Sequence, residues 1–240
     1  MSHIDRPTTH TSRGLQLVLL LCVAGIAAVL AGPVSAATTP YPKAAVILTP
    51  TLAAHARPDA GSRTVKVFRQ FRGDFRPTTL LVLGERRGAQ GVTWLRLSLP
   101  TRPNGRTGWV RAAAVHTRPV HRRIVVDLSA RRLRVLERGR SVYSTRVAIG
   151  RRGLETPTGR FYLTATFKPK ERFLGAHAFE TSAYSKLSEW PGGGVVGLHG
   201  TSMPQLLGKR VSHGCVRMSN AAALVLKRLT PAGTPLTIVA

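Results

Sequence analysis

Acidic side chains are scarce in this 240-residue chain: Asp and Glu number 10 against 36 Lys and Arg, giving a formal net charge of +26. An excess of that size points to polyanionic surroundings. The basic residues are mostly Arg and are spread along the sequence. There is no dense Lys/Arg tract and no aromatic signature of RNA binding, so a nucleic-acid partner is set aside and a solvated basic surface is the default reading. Cysteine is scarcer still, with only Cys22 and Cys215. No internal repeat is visible. The apolar fraction of 43% is ordinary and excludes wholesale disorder.

What is present begins with a segment outside the fold. Arg6 and Arg13 precede an apolar run over residues 15–32, and small residues Val34, Ser35 and Ala36 follow. A charged n-region, an apolar h-region and a small-residue site read as a secretory signal peptide over residues 1–36, cleaved after Ala36. The run is also just long enough to span a bilayer, so an uncleaved anchor is the alternative. Cys22 follows Leu21 in mid-run, which does not suit a lipid attachment site. Either reading puts the rest of the chain outside the cytoplasm, in the cell envelope, periplasm or wall. Removal of residues 1–36 takes away Asp5, Arg6 and Arg13 and leaves +25. For an exported chain, the anionic polymers and carboxylates of a bacterial wall are the natural partners of that charge.

The mature chain then holds one cysteine, Cys215, which cannot form an internal disulfide and faces oxidants. Its presence there suggests that the thiol itself is useful.

A linker with two prolines spans residues 37–43. Short strands follow over residues 44–116: VILTP, KVFRQF, TTLLVLGERRG and TWLRLSLP, the last with Leu95, Leu97 and Leu99 alternating against Trp94, Arg96 and Ser98. Asn104-Gly105 signals a hairpin before the strand of Trp109. That density of strands predicts a small barrel, and its ARPDAGS, TWLRL and GWV segments resemble a bacterial SH3-like domain. A spacer is the default role for it. A boundary falls near His116 to His121, around Pro119. From residue 122 strands resume at RIVVDLS, RRLRVLERG and RSVYSTRVAIG, with a turn at Glu137 to Arg140. A TPTG turn leads into FYLTATF, and a glycine-rich stretch ends at His199. After Cys215, SNAAALVLKRL predicts a helix of about ten residues, capped by Ser219 or Asn220 and ended before Pro231. A final strand, TPLTIVA, closes a fold that is mainly β.

Cys215 lies in the stretch SHGCVRMSN, residues 212–220. A helix start near Ser219 and the cation of Arg217 both favour a thiolate. A nucleophile needs a base, and His213 and His199 are the candidates; His199 lies sixteen residues earlier, enough chain to fold back. Gly200 and Gly214 let backbone approach closely, and the N–H groups of Gly214 and Cys215 are placed to meet a developing oxyanion. These parts fit acyl transfer through a thioester. The competing readings are a zinc site of His199, His213 and Cys215, an inert buried Cys215, and a structural hydrogen-bonding role for one of the two His. No acid lies near: Glu189 is the closest in sequence.

These residues resemble the L,D-transpeptidase (YkuD-type) family. The likeness is carried by His199-Gly200-Thr201, by the sixteen-residue offset, and by Ser212-His213-Gly214-Cys215-Val216-Arg217-Met218 with Asn220. Upstream, IVVDLSARRLRVLERG and TPTGRFYLT match as well, so it covers residues 122–240. The resemblance implies a β-rich catalytic domain acting on peptidoglycan stem peptides. It implies Cys215 as nucleophile and His199 as base, the latter held by a backbone carbonyl near Gly200. His213 and Ser212 would shape the pocket, and Arg217 would bind a substrate carboxylate. It implies no metal or organic cofactor, and covalent inhibition by carbapenem-type β-lactams. A non-catalytic wall-binding protein is the alternative that the exported, basic layout permits.

Overall fold

Period-two burial sets most of the strands. A computed structural model describes residues 42–189 and 192–240. The expected signal peptide and residues 37–41 of the linker lie outside them. The first sheet comprises β1 (Lys43–Ile47), β2 (Thr51–His55), β3 (Thr64–Arg69), β4 (Thr79–Arg87), β5 (Thr93–Ser98), β6 (Thr107–Arg111) and β7 (Val115–Pro119). They pair antiparallel in the order β3-β2-β6-β5-β4-β1-β7. Lys43, read as the end of the linker, is the first residue of β1. Pro119, read as a boundary residue, ends the edge strand β7, where a residue without N–H is tolerated. Leu95, Leu97 and Leu99 are buried as the alternation requires, but Trp94 is buried too, at 4% exposure, with its ring edge-on to His55. β5 is therefore covered on both faces.

The second sheet starts at β8 (Arg122–Asp127), β9 (Arg132–Glu137) and β10 (Arg140–Arg146), with a tight turn at Arg138 and Gly139, both at positive φ. It continues through β12 (Gly159–Phe167), β13 (Ala178–Tyr184), β14 (Val195–His199), β16 (Val216–Arg217) and β17 (Pro235–Val239), while β11 (Ile149–Gly150) pairs separately with β15 (Arg210–Ser212). The order β10-β9-β8-β17-β12-β13-β14-β16 places the last strand in the middle, where β17 runs parallel to β8 with Leu236 opposite Ile124. Ile124, Val126, Leu133, Val135, Leu236 and Ile238 alternate with more exposed neighbours and share one core.

The helix, α1 (Asn220–Leu229), follows β16. Ser219 caps it by accepting the Ala222 N–H at 3.1 Å, and Lys227 and Arg228 sit in the last turn, where cations suit the carbonyl end. Ala222, Ala223 and Leu226 enter the same core as Val216 and Met218. Burying a side chain such as Leu226 contributes about 1.5–3 kcal/mol. That anchors the helix in the core that also takes Val216 and Met218, the residues just after Cys215.

Among the described residues the two sheets belong to one compact unit. Tyr162 of β12 is fully buried in the core of the first sheet, and burial holds its phenol strongly protonated. Arg72 pairs with Glu180 across the junction, and Arg76 donates to the Thr166 carbonyl. The turn between β5 and β6, residues 99–106, reaches furthest. Arg102 donates to the carbonyls of Ser185, Leu187 and Gly193, while the Asn104 side chain bonds both the N–H and the carbonyl of Tyr184.

Candidate active site

Parallel pairing of β14 with β16 brings the two candidate groups together. Leu198 lies opposite Val216 and His199 opposite Arg217, so Cys215 arrives beside Gly197. The Gly197 N–H donates to Cys215 Sγ at 3.3 Å. A carbon built onto Gly197 would stand 3.8 Å from that sulfur and 3.9 Å from His199 Cδ2. The thiol and the imidazole thus flank one point above Gly197, and the glycine keeps that point open.

His199 is 3% exposed, and its Nδ1 lies 2.6 Å from the Gly200 carbonyl oxygen. A carbonyl only accepts, so Nδ1 carries the proton and Nε2 keeps its lone pair. Nε2 is bonded to Cδ2, the atom nearest Gly197. Burial pushes the ring's pKa down to about 4; the Gly200 carbonyl opposes this and the Arg217 charge adds to it. Burial likewise pushes the Cys215 thiol up, against the Gly197 N–H and Arg217. The expectation of a thiol lowered by Arg217 and the helix start is therefore reversed, since desolvation outweighs Arg217. At neutral pH the pair is a thiol and a neutral imidazole, and attack requires a proton to pass from sulfur to nitrogen.

The loop 212–215 is tied by its own side chains. Ser212 Oγ donates to the Cys215 carbonyl at 2.5 Å and accepts the Gly214 N–H at 3.2 Å. The Gly214 N–H, expected to face an oxyanion, is thus already engaged. The Cys215 N–H has no protein acceptor among the described residues and remains available. Gly214 has φ 118, and a Cβ there would meet Ser185 Cβ at 3.1 Å. His213 is half-buried on the same loop. Arg217 is close enough to act on both Cys215 and His199, and its Nε is buried without a partner among the described residues.

Asn220 holds the other wall. Its Oδ1 accepts the N–H groups of Ala176 and Thr201 at 3.0 and 3.1 Å, tying the turn after His199 to the start of α1. A Cβ at Gly200 would fall 2.3 Å from that oxygen, which is the close approach that requires glycine there. Three residues that contact this framework carry no role in the sequence reading: Gly197 through its backbone N–H, and Thr156 and Ser185 through their side chains. Thr156 Oγ1 donates to the Gly214 carbonyl at 2.8 Å, and the TPTG turn was its only signal. A cleft of about 860 Å³ opens behind this loop, lined by Thr156, Ser185, Glu155, Lys186 and Arg210 and not by Cys215. Among the described residues no three His, Cys, Asp or Glu side chains gather to hold a metal ion.

Residues 121–238 match the family model of the L,D-transpeptidase catalytic domain, YkuD. The chain is 34% identical over 116 residues to YkuD of Bacillus licheniformis, covering 48% of this chain and 64% of that protein. It is 32% identical over 123 residues to YkuD of Bacillus subtilis (strain 168), covering 51% and 68%. The chain thus spans about two thirds of the length of these curated relatives. A solved L,D-transpeptidase from Mycobacterium smegmatis resembles it with a TM-score of 0.43 and 17% identity, over 62% of this chain and 90% of that one. By the family match and the Bacillus subtilis relative, the chain belongs to the YkuD family of L,D-transpeptidase catalytic domains.

Proposed function

We propose that the protein is an exported peptidoglycan L,D-transpeptidase working through a Cys215 acyl-enzyme. The single observation that carries this reading is the shared placement of Cys215 Sγ and the Nε2 side of His199 over Gly197. In the first step Cys215 Sγ attacks the carbonyl joining the diamino acid of a donor tetrapeptide stem to its terminal D-alanine. His199 Nε2 takes the thiol proton as the S–C bond forms. The carbonyl oxygen becomes an oxyanion, which the free Cys215 N–H meets. The imidazolium then returns the proton to the leaving amine, the C–N bond breaks, and D-alanine departs. In the second step His199 accepts a proton from the side-chain amine of an acceptor stem. That amine displaces the thiolate, which regains the proton, and a cross-link results. Water in place of the amine gives a trimmed tripeptide.

Arg217, with a buried guanidinium N–H lacking a protein acceptor among the described residues, suits a substrate carboxylate. The net positive charge suits an anionic wall. The N-terminal sheet, read from sequence as SH3-like, acts in this proposal as a brace for residues 184–187 rather than as a spacer, through Arg102 and Asn104. A carbapenem, as a strained acyl donor, is expected to trap the thioester.

The test is incubation of the mature protein with defined tetrapeptide stems, with products identified by mass. Loss of D-alanine, with or without a cross-linked dimer, is the expected result. Retention of protein on purified sacculi with unchanged stems would favour a wall-binding protein instead.

A further inference from the structure

Thr156 opens the TPTG turn, and the reaction above leaves its side chain unused. It is 3% exposed, and its hydroxyl makes two bonds of fixed sense. It accepts the Gly150 N–H at 2.9 Å and donates to the Gly214 carbonyl oxygen at 2.8 Å. With an N–H already pointing at the oxygen, the hydroxyl proton is directed to Gly214. Gly150 is fixed in turn, since a Cβ there would lie 2.3 Å from the Leu154 carbonyl oxygen and 2.5 Å from the Thr156 nitrogen.

The peptide joining Gly214 to Cys215 is the one whose orientation matters. In a planar trans peptide the N–H points opposite to the C=O, so holding the Gly214 oxygen fixes the direction of the Cys215 N–H. Glycine at φ 118 supplies no stiffness of its own. Ser212 ties the flanking groups, the Gly214 N–H and the Cys215 carbonyl, and leaves the Gly214 carbonyl to Thr156.

We propose that Thr156 is a positioning residue: its hydroxyl clamps the Gly214 carbonyl and so aims the Cys215 N–H at the oxyanion of the acylation step. This rests on the acyl-transfer reading above, and the test separates the two. Thr156→Val keeps the shape and removes the hydroxyl; Thr156→Ser keeps the hydroxyl. On the full chain, three quantities are measured: acylation rate with a carbapenem, alkylation of Cys215 by iodoacetamide (which forms no oxyanion), and the ¹⁵N–¹H resonance of the Cys215 amide. The Val variant should acylate about 100-fold more slowly, the cost of a misplaced donor, while its alkylation stays within about twofold of the unmodified protein. Its Cys215 amide resonance should move, and the Ser variant should restore both the acylation rate and the resonance while alkylation stays level. An unchanged acylation rate, an equal fall in acylation and alkylation, or an unmoved amide resonance would each overturn the clamp. Absence of acylation in the unmodified protein would defeat the acyl-transfer reading alone, and the amide resonance would still decide whether Thr156 orients Cys215. If the Val variant does not fold, Thr156→Ala carries the same expectations.

Discussion

Acidification from pH 7 to pH 4 should destabilise the protein, in large part through the imidazole of His199. His199 is 3% exposed, and burial brings its pKa from the ordinary 6.5 to about 4. Above pH 6.5 neither folded nor unfolded chain protonates the ring. Between 6.5 and about 4 the unfolded chain binds a proton that the folded one refuses, so stability falls as pH falls through that window. Below it both states are protonated and the loss is complete. A gap of about 2.5 decades in proton affinity corresponds to about 3 kcal/mol. His177, buried and also lowered, works in the same direction, so the assay must be differential. Urea unfolding at pH 7 and pH 4, on the unmodified chain and on His199→Gln, isolates the ring. The unmodified chain should lose about 3 kcal/mol more than the variant. Equal losses in the two proteins would refute the claim that burial holds this ring neutral.

Four further outcomes are expected. The acylation rate should rise along an acid limb near pH 4 as His199 becomes a free base, then stay level through neutrality; His199→Ala should lower it by about 10²- to 10⁴-fold at pH 7, read by stopped-flow or intact mass. Leu226→Ala, at a fully buried position between α1 and the sheet, should cost about 2–5 kcal/mol in denaturant unfolding and lower acylation only where the protein is unfolded. Arg102→Ala removes three hydrogen bonds from an exposed guanidinium, so it should cost only about 1 kcal/mol, yet hydrogen exchange should quicken at residues 184–187.

Much of this architecture is legible in the sequence where a single face of an element is buried. Leu133 and Val135, or Ile124 and Val126, show the period of two at once, and the serine cap with the apolar run of α1 marks its helix within a residue. The strand β13 is not legible, because both of its faces are covered and polar residues sit among them. Thr181 donates to the Val196 carbonyl and Ser182 accepts the Tyr162 N–H, so hydroxyls satisfied in the interior mimic a surface pattern. At the site, Cys215 and His199 stand out by residue type and spacing. Gly197 and Thr156 do not, because their contributions arise only when β14 meets β16 and when the TPTG turn closes on Gly214. The direction of the Cys215 shift is hidden in the sequence for a related reason. Arg217 is visible as a neighbour in sequence, whereas the burial that outweighs it is a property of the folded whole.

The most direct measurement is intact-mass spectrometry of the mature protein after exposure to a carbapenem, beside a folded Cys215→Ala variant. One added acyl mass on the unmodified chain, located at Cys215, and none on the variant is the expected pair of spectra. An adduct that survives in the Ala variant would contradict the role given to this sulfur.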